Sequence, residues 1–406
     1  MPGALPDGEP VPADGGLPAG ALADLGKHPF GWYVHVPFCS TRCGYCDFNT
    51  YTAAELGSGA SRDSYPGLAI EEIRLARRVL GTVSLPVSTV FFGGGTPTLL
   101  PPERLGEILR AIDGEFGLAA DAEVTVEANP ETVDEGSLAG LRAAGITRIS
   151  LGMQSAVPHV LAVLDRVHEP GRPARCARWA RAAGFEHVSL DLIYGTPGES
   201  AADWRESLEA ALEARPDHIS AYALIVEQGT RLAARVSRGE IPMPDDDAMA
   251  DAYLAADELL TGRGLGWYEI SNWAASPQAQ CRHNLLYWTG GDWWGVGPGA
   301  HSHVAGIRWW NVKHPAAYAA RLRGGSSPGQ AREVLTERER RTEQVLLLTR
   351  LATGCPLDLL DPAGRAAAVA AVGDGLAQRP AHAAGRVVLT SRGRLLADAV
   401  IRGLTS

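Results

Sequence analysis

Three cysteines stand within eight residues in the run His35-Val36-Pro37-Phe38-Cys39-Ser40-Thr41-Arg42-Cys43-Gly44-Tyr45-Cys46-Asp47-Phe48, spaced C-x3-C-x2-C. Thiolates are soft ligands that suit zinc and iron–sulfur clusters alike. A structural zinc site takes four protein ligands, and no fourth cysteine or nearby histidine completes this set. Three thiolates on a four-iron cube leave one iron without a protein ligand, where an exchangeable small molecule can bind. Zinc, or three unpaired buried thiols, are the plainer alternatives. The six cysteines of the chain are an even number, but a long chain with no secretory signal argues against disulfides.

Two other groupings carry chemical potential. Gly93-Gly94-Gly95-Thr96-Pro97 lets backbone approach a ligand, and its free N–H groups favour a carboxylate or phosphate; a plain tight turn is the alternative. Further on, seven of the ten tryptophans lie between residues 267 and 310, with Tyr268, Cys281, His283, Tyr287, His301 and His303 among them. Aromatic walls with a few polar groups suit a flat apolar macrocycle, and histidine or thiolate can ligate its iron. Such stretches also serve simply as packing surfaces. His301 and His303 follow a Gly/Pro-rich turn and read as the lining of a cavity mouth. Cys176, beside Ala177 and Trp179, reads as buried and inert. Asp245–Asp247 reads as a helix N-terminus, where negative charge complements the dipole.

The elements that must hold these residues alternate. Strands are predicted at 32–36, 88–92, 122–127, 147–151, 187–192 and 217–222. Helices are predicted near 64–80, 102–112, 134–144, 157–183 (broken at Pro170 and Pro173) and 201–214. Helical crossovers imply a parallel sheet, curled by its constant handedness into a partial barrel; a doubly wound open sheet is the competing arrangement. Chemistry then belongs at the C-terminal strand ends. The cysteines follow the first strand, Gly93–Thr96 the second and Gln154 the fourth, while Glu127 ends the third and Asp191 nears the end of the fifth.

Residues 1–29, rich in Pro, Gly and Ala, predict a disordered leader; residues 30–225 hold the partial barrel, and residues 226–330 a Trp/Gly-rich extension. Residues 331–406 predict a winged-helix-like module with helices at 336–352 and 357–379 and a wing formed by strands 386–389 and 394–396. A net charge of −10 disfavours nucleic acid or anionic membrane as a general partner. No apolar run reaches membrane-spanning length, and a cytoplasmic location is expected.

C-x3-C-x2-C after the first strand, with an aromatic before the last cysteine, resembles the signature of the radical SAM superfamily. In that family S-adenosylmethionine (SAM) chelates the open iron of a [4Fe-4S] cluster. The resemblance extends through YVHVPFC, FFGGGTPTLL, EANPE, SLGMQS, LDRVH, DLIYGTPGES and GVGPGAHS, in order over roughly residues 30–400. These phrases are similar to the branch containing the oxygen-independent coproporphyrinogen oxidases and the HemW heme chaperones. The resemblance implies an α/β partial (β/α)6 barrel with a C-terminal extension and a winged-helix-like module. It implies cluster ligands Cys39, Cys43 and Cys46, and a SAM pocket of Tyr33, Tyr45, Gly94, Gly95, Thr96, Glu127, Gln154, Arg166 and Asp191. Glu127, Gln154 and Asp191 suit the amine and ribose hydroxyls, Arg166 the carboxylate, and Tyr45 the adenine.

Two features separate the branches. The decarboxylating oxidases carry a fourth cysteine where this chain has Phe48, and the chaperones carry HNxxYW, here His283-Asn284-Leu285-Leu286-Tyr287-Trp288. The chaperone resemblance implies heme held near His283, Asn284, Tyr287 and Trp288, with His283 the favoured iron ligand and Cys281 the reserve. It also implies a heme-acceptor protein and allows for a reductant protein. The alternatives are oxidative decarboxylation of coproporphyrinogen III and another radical SAM reaction such as methyl transfer. Phe48 and the lack of a recognisable structured N-terminal substrate segment argue against the first.

Overall fold

A computed structural model describes residues 8–57, 59–166, 169 and 171–405. Numbering strands along the chain, β1 is Glu9–Pro10, and the six expected strands are β2 (Phe30–Val36), β3 (Val87–Gly94), β4 (Leu118–Ala128), β5 (Arg148–Gln154), β6 (His187–Tyr194) and β7 (His218–Ala223). They pair in parallel in that order. Helices Tyr65–Leu80, Pro102–Phe116, Glu135–Ala143, Arg172–Ala182 and Ala201–Glu213 fill the crossovers. The predicted 157–183 helix is two helices, Pro158–Val163 and Arg172–Ala182, with Pro173 in the first turn of the second, where its missing N–H costs nothing. Pro170 lies outside the described residues.

Each strand separates two chemistries. Val34, Val90, Val126, Ile149, Leu190 and Ile219 are fully buried against the helices. The crossover helices answer with stripes at helical spacing: Ala69, Ile73, Ala76 and Leu80 on one, Leu105, Ile108 and Ile112 on the next. Burying a side chain of this size contributes roughly 1.5–3 kcal/mol. The alternate strand positions, including Tyr33, Thr125, Glu127, Ser150, Ser189, Asp191, His218 and Ser220, line an interior cavity instead. Parallel strands usually bury both faces in apolar contact; here one face is a chamber.

Residues 226–330 are not a unit apart; they cover both edges of this sheet. β8 (Gly266–Glu269) and β9 (Asn272–Ala274) add to β7, while β10 (Asp292–Val296) runs parallel to β2. β11 (His301–Val304), β12 (Ile307–Asn311) and β13 (Gly329–Val334) continue antiparallel beyond β10. Between the two edges runs the short helix Arg282–Trp288, whose first backbone N–H groups, on Arg282 and His283, donate to Glu123 at 3.1 and 3.0 Å. A carboxylate at a helix start satisfies unpaired donors and the dipole together. The result is an open sheet of thirteen described strands around the partial barrel.

The expectation of a disordered leader fails for residues 8–29; residues 1–7 lie outside the described residues. β1 pairs with β13, and Arg332 binds the Glu9 carboxylate at 2.6 Å and the Gly16 carbonyl at 2.9 Å. Proline and glycine suit this segment because an edge strand of two residues asks for few backbone donors. The argument that the chain lacks an ordered N-terminal segment therefore falls.

The C-terminal module has its own core of Val345, Cys355, Leu360, Ala368, Val387, Leu389, Val400 and Leu404. Its ribbon differs from the predicted wing: β14 (Cys355–Pro356) pairs with β15 (Arg386–Val387). The predicted second wing strand is helical. Thr390 caps the helix Ser391–Leu395 by accepting from the Gly393 N–H. The predicted 357–379 helix is a short turn followed by Pro362–Gly373. Arg394 pairs with Asp257 and so ties the module to the helix Asp246–Gly262. Asp245 caps that helix through the Ala248 N–H at 2.8 Å, as its acidic start predicts.

Candidate functional site

The cysteine loop leaves the end of β2 and is pinned from three sides. Gly95 N donates to Val36 O at 2.8 Å, Thr96 N to Phe38 O at 2.7 Å, and Cys39 N to Tyr51 O at 3.0 Å. This is why the second strand end needs glycines. A Cβ on Gly95 would stand 2.5 Å from the Phe38 carbonyl oxygen, and Gly94 has φ +110 with the His35 ring 2.7 Å from where its Cβ would be. Cys39 is buried, Cys43 and Cys46 half-buried. Burial raises the Cys39 thiol and pushes Cys46 up to about 11. No three His, Cys, Asp or Glu side chains among the described residues converge on a single ion. Three soft thiolates on one loop, with no fourth protein ligand beside them among the described residues, suit a cluster that keeps one iron open to a small molecule.

Behind the loop lies a cavity of about 670 Å³. It brings together all nine side chains or backbone positions predicted for a SAM pocket: Tyr33, Tyr45, Gly94, Gly95, Thr96, Glu127, Gln154, Arg166 and Asp191. Glu127 accepts from the Gly94 N–H at 3.1 Å, and Asp191 accepts from Ser150 Oγ at 2.9 Å to either oxygen. Burial, then repulsion from Asp191, pushes the Glu127 carboxyl up to about 8; burial also raises Asp191. Gln154 holds φ +64, a conformation costing roughly 1–3 kcal/mol outside glycine. Arg166 turns its guanidinium to Gly152 O at 2.9 Å and to Cys43 Sγ at 3.6 Å. Buried carboxylates facing a guanidinium, with the unpartnered Arg148 Nη2 and Thr125 Oγ1 deeper in the same cavity, suit a zwitterionic ligand with hydroxyl groups.

The sequence did not single out Arg148, Ser150, Ser189, His218, Ser220 or Tyr222, which complete the chamber. The signal was the period-two alternation inside each strand, as in His218-Ile219-Ser220-Ala221-Tyr222.

His283 takes a different place from the one expected of it. Its ring lies in the chamber floor, 5.2 Å from the Phe91 ring, with Nδ1 2.8 Å from Thr89 Oγ1 and Nε2 2.7 Å from Tyr287 Oη. Burial holds it down at about 3, so it is neutral. Neither nitrogen is open to iron. Cys281, the reserve, is also buried, with its sulfur directed to Glu123 and its thiol raised by burial. Asn284 and Trp288 hydrogen-bond Glu269. The motif thus seats the helix Arg282–Trp288 in the floor.

A second cavity, of about 760 Å³, opens beside the cysteine loop. Tyr33, Cys46, Asp47, Phe48 and Tyr287 belong to the walls of both. Phe48 is 60% exposed there.

Residues 33–211 match the radical SAM superfamily. A protein of Mycobacterium tuberculosis named heme chaperone HemW is 54% identical over 94% of this chain and 96% of its own length. The chain belongs to the HemW family. HemW of Synechocystis is 38% identical over 80% of this chain and 79% of its own; HemW of Escherichia coli is 36% identical over 71% and 75%. The solved structure of E. coli coproporphyrinogen III oxidase HemN, a radical SAM enzyme, shares the fold with TM-score 0.81, covering 95% of this chain and 92% of that one at 22% identity. In this HemW-family chain the Cys39–Cys46 loop and the Arg282 helix enclose the chamber from opposite ends of the strands. Among the described residues no helix is long and apolar enough to cross a membrane.

Proposed function

We propose that this chain is a cytoplasmic heme chaperone: it binds heme and passes it to an acceptor protein, with a [4Fe-4S] cluster on Cys39, Cys43 and Cys46 and exchangeable SAM beside it. The observation that carries the reading is the meeting of two cavities at one cysteine loop, one holding Glu127, Asp191 and Arg166, the other more open and walled by Tyr51, Phe48 and Trp293. The names of the relatives agree with it.

The chain's own residues have separable tasks. Glu127, Gln154 and Asp191 hold the amine and ribose hydroxyls of SAM, Arg166 holds its carboxylate against Cys43, and Tyr45 covers the adenine; Tyr33 and Gly94–Thr96 shape the wall. A reduced cluster of this kind supplies, in its family, the electron that cleaves SAM, and a reductant protein would feed it. Phe48 puts a ring where the oxidase pattern has a fourth cysteine, which separates this chain from decarboxylation of coproporphyrinogen.

The test is anaerobic reconstitution followed by two measurements. Hemin titration should give saturable binding, and the loaded protein should transfer heme to an apo-hemoprotein. Coproporphyrinogen with reductant and SAM should show no multiple-turnover loss. Sustained turnover would replace the chaperone reading with the oxidase one.

A further inference from the structure

The two cavities are lined by four histidines, and three of them are fully engaged. His35 is held by Tyr33 Oη and Asn49 O at 3.1 and 2.9 Å, His218 by Ser189 Oγ and Tyr268 Oη at 2.7 and 2.8 Å, and His283 by Thr89 and Tyr287. The fourth is His301, the first residue of β11. It is exposed in the second cavity, and neither of its ring nitrogens has a hydrogen-bond partner among the described residues. Its ring rests on Trp310, centroids 5.9 Å apart and planes 26° apart. Strand β11 fixes the Cα, and the indole fixes the ring plane.

The surroundings of His301 suit one kind of ligand. The second cavity falls within the roughly 300–1,000 Å³ range of small-molecule sites. Trp293, Tyr51 and Phe48 give it flat apolar walls. Lys313 stands at it as a cation, while Arg42 is paired with Glu55 and Asp47 is the one carboxylate of the lining. Desolvation by the surrounding walls lowers the basicity of His301, and the Lys313 and Arg308 cations add to it, favouring an imidazole with a free lone pair. Lys313 itself makes no ion pair among the described residues.

We infer that the second cavity is the heme site, with His301 the axial ligand of the iron and Lys313 the partner of a propionate. The inference rests on the heme-chaperone reading and moves its ligand from the chamber floor to the open cavity. Because the two cavities share only a wall, heme there leaves the SAM pocket free.

The test titrates hemin and iron-free protoporphyrin IX into the cluster-loaded full chain, as wild type, His301→Ala, His301→Gly and Lys313→Glu. His301→Ala should weaken hemin binding about tenfold or more and shift its absorption band, while protoporphyrin IX binding stays within about threefold of wild type. Imidazole added to His301→Gly should restore the wild-type band, which a merely structural role would not. Lys313→Glu should weaken both porphyrins about tenfold. Hemin binding by His301→Ala with wild-type affinity and spectrum overturns this inference alone. A wild type that binds no hemin overturns it together with the chaperone reading.

Discussion

Arg166 stands with one guanidinium nitrogen 3.6 Å from the sulfur of Cys43 and another 2.9 Å from the carbonyl of Gly152. The residue thus joins the cysteine loop to the end of β5, at the wall of the cavity proposed to take SAM. Charge-assisted bonds of this kind contribute about 1.5–3 kcal/mol each. Arg166→Met keeps the apolar stem and removes the fork. SAM affinity measured by equilibrium dialysis should fall by about tenfold or more, while iron per chain stays near wild type because the three thiolates remain.

Glu127 supplies a second handle on the same pocket, through pH. Its carboxyl is pushed up to about 8 by burial and by Asp191, so below that pH the free protein holds a proton there. Pairing with the amine of SAM favours the carboxylate, and the proton must leave. SAM affinity should therefore rise with pH up to about 8, by at most about tenfold per pH unit from this group. Dialysis at several pH values checks it: Glu127→Gln should bind more weakly at pH 8.5 and show a flatter pH dependence than wild type.

His283 predicts a stability effect of defined sign. Its folded value is lowered to about 3 by burial, against 6.5 for the ordinary imidazole. Between those values the unfolded chain binds a proton that the folded chain does not. Stability is therefore present above pH 6.5 and is lost as pH falls toward 3, at up to about 1.4 kcal/mol per pH unit from this residue. Glu72 and Glu269, each pushed up to about 7 by burial, act in the opposite sense, so the comparison must be with a variant. His283→Gln should cost about 1–3 kcal/mol at pH 7.5 by leaving Thr89 or Tyr287 unpaired, and its urea midpoint should fall less steeply than wild type between pH 7 and 5.

What the sequence made legible was the list of strand ends. Five of the six β-branched runs, ending at or near a Cys, Gly, acid or amide, sufficed to predict that Cys39, Gly94, Glu127, Gln154 and Asp191 share one place, because parallel strands bring their C-terminal ends to one rim. His283 was legible as a residue in a motif but not as a satisfied one. Its partners Thr89 and Tyr287 come from another strand and from the next helical turn, and no local spacing reveals that both ring nitrogens are taken. The ribbon was misread for a similar reason. Ser391-Arg392-Gly393 looks like a turn, yet Thr390 is a helix cap whose effect depends on Arg394 finding Asp257 far along the chain. The order of residues 8–29 rests on a two-residue edge pairing with β13, the Arg332 contacts and a few apolar side chains such as Ala21, too short and scattered to leave a periodic trace.

Phe48 links the cysteine loop to both cavities. It stands two residues after Cys46, 60% exposed, in the walls of both cavities. A ring so exposed beside the cysteine loop offers a flat apolar face to a ligand in either cavity. Phe48→Cys would set a thiol at the position of the oxidase's fourth cysteine. It should nevertheless produce no coproporphyrinogen loss and no substrate-dependent 5′-deoxyadenosine, because the thiol alone does not rebuild a substrate site in the surrounding walls. Phe48→Ala should leave iron content and SAM affinity near wild type and weaken hemin binding by a few-fold, the loss of one flat wall worth about 1 kcal/mol. Chromatographic assay of 5′-deoxyadenosine and hemin titration of both variants decide the matter. Turnover by Phe48→Cys would mean that a single ring holds this scaffold back from decarboxylation.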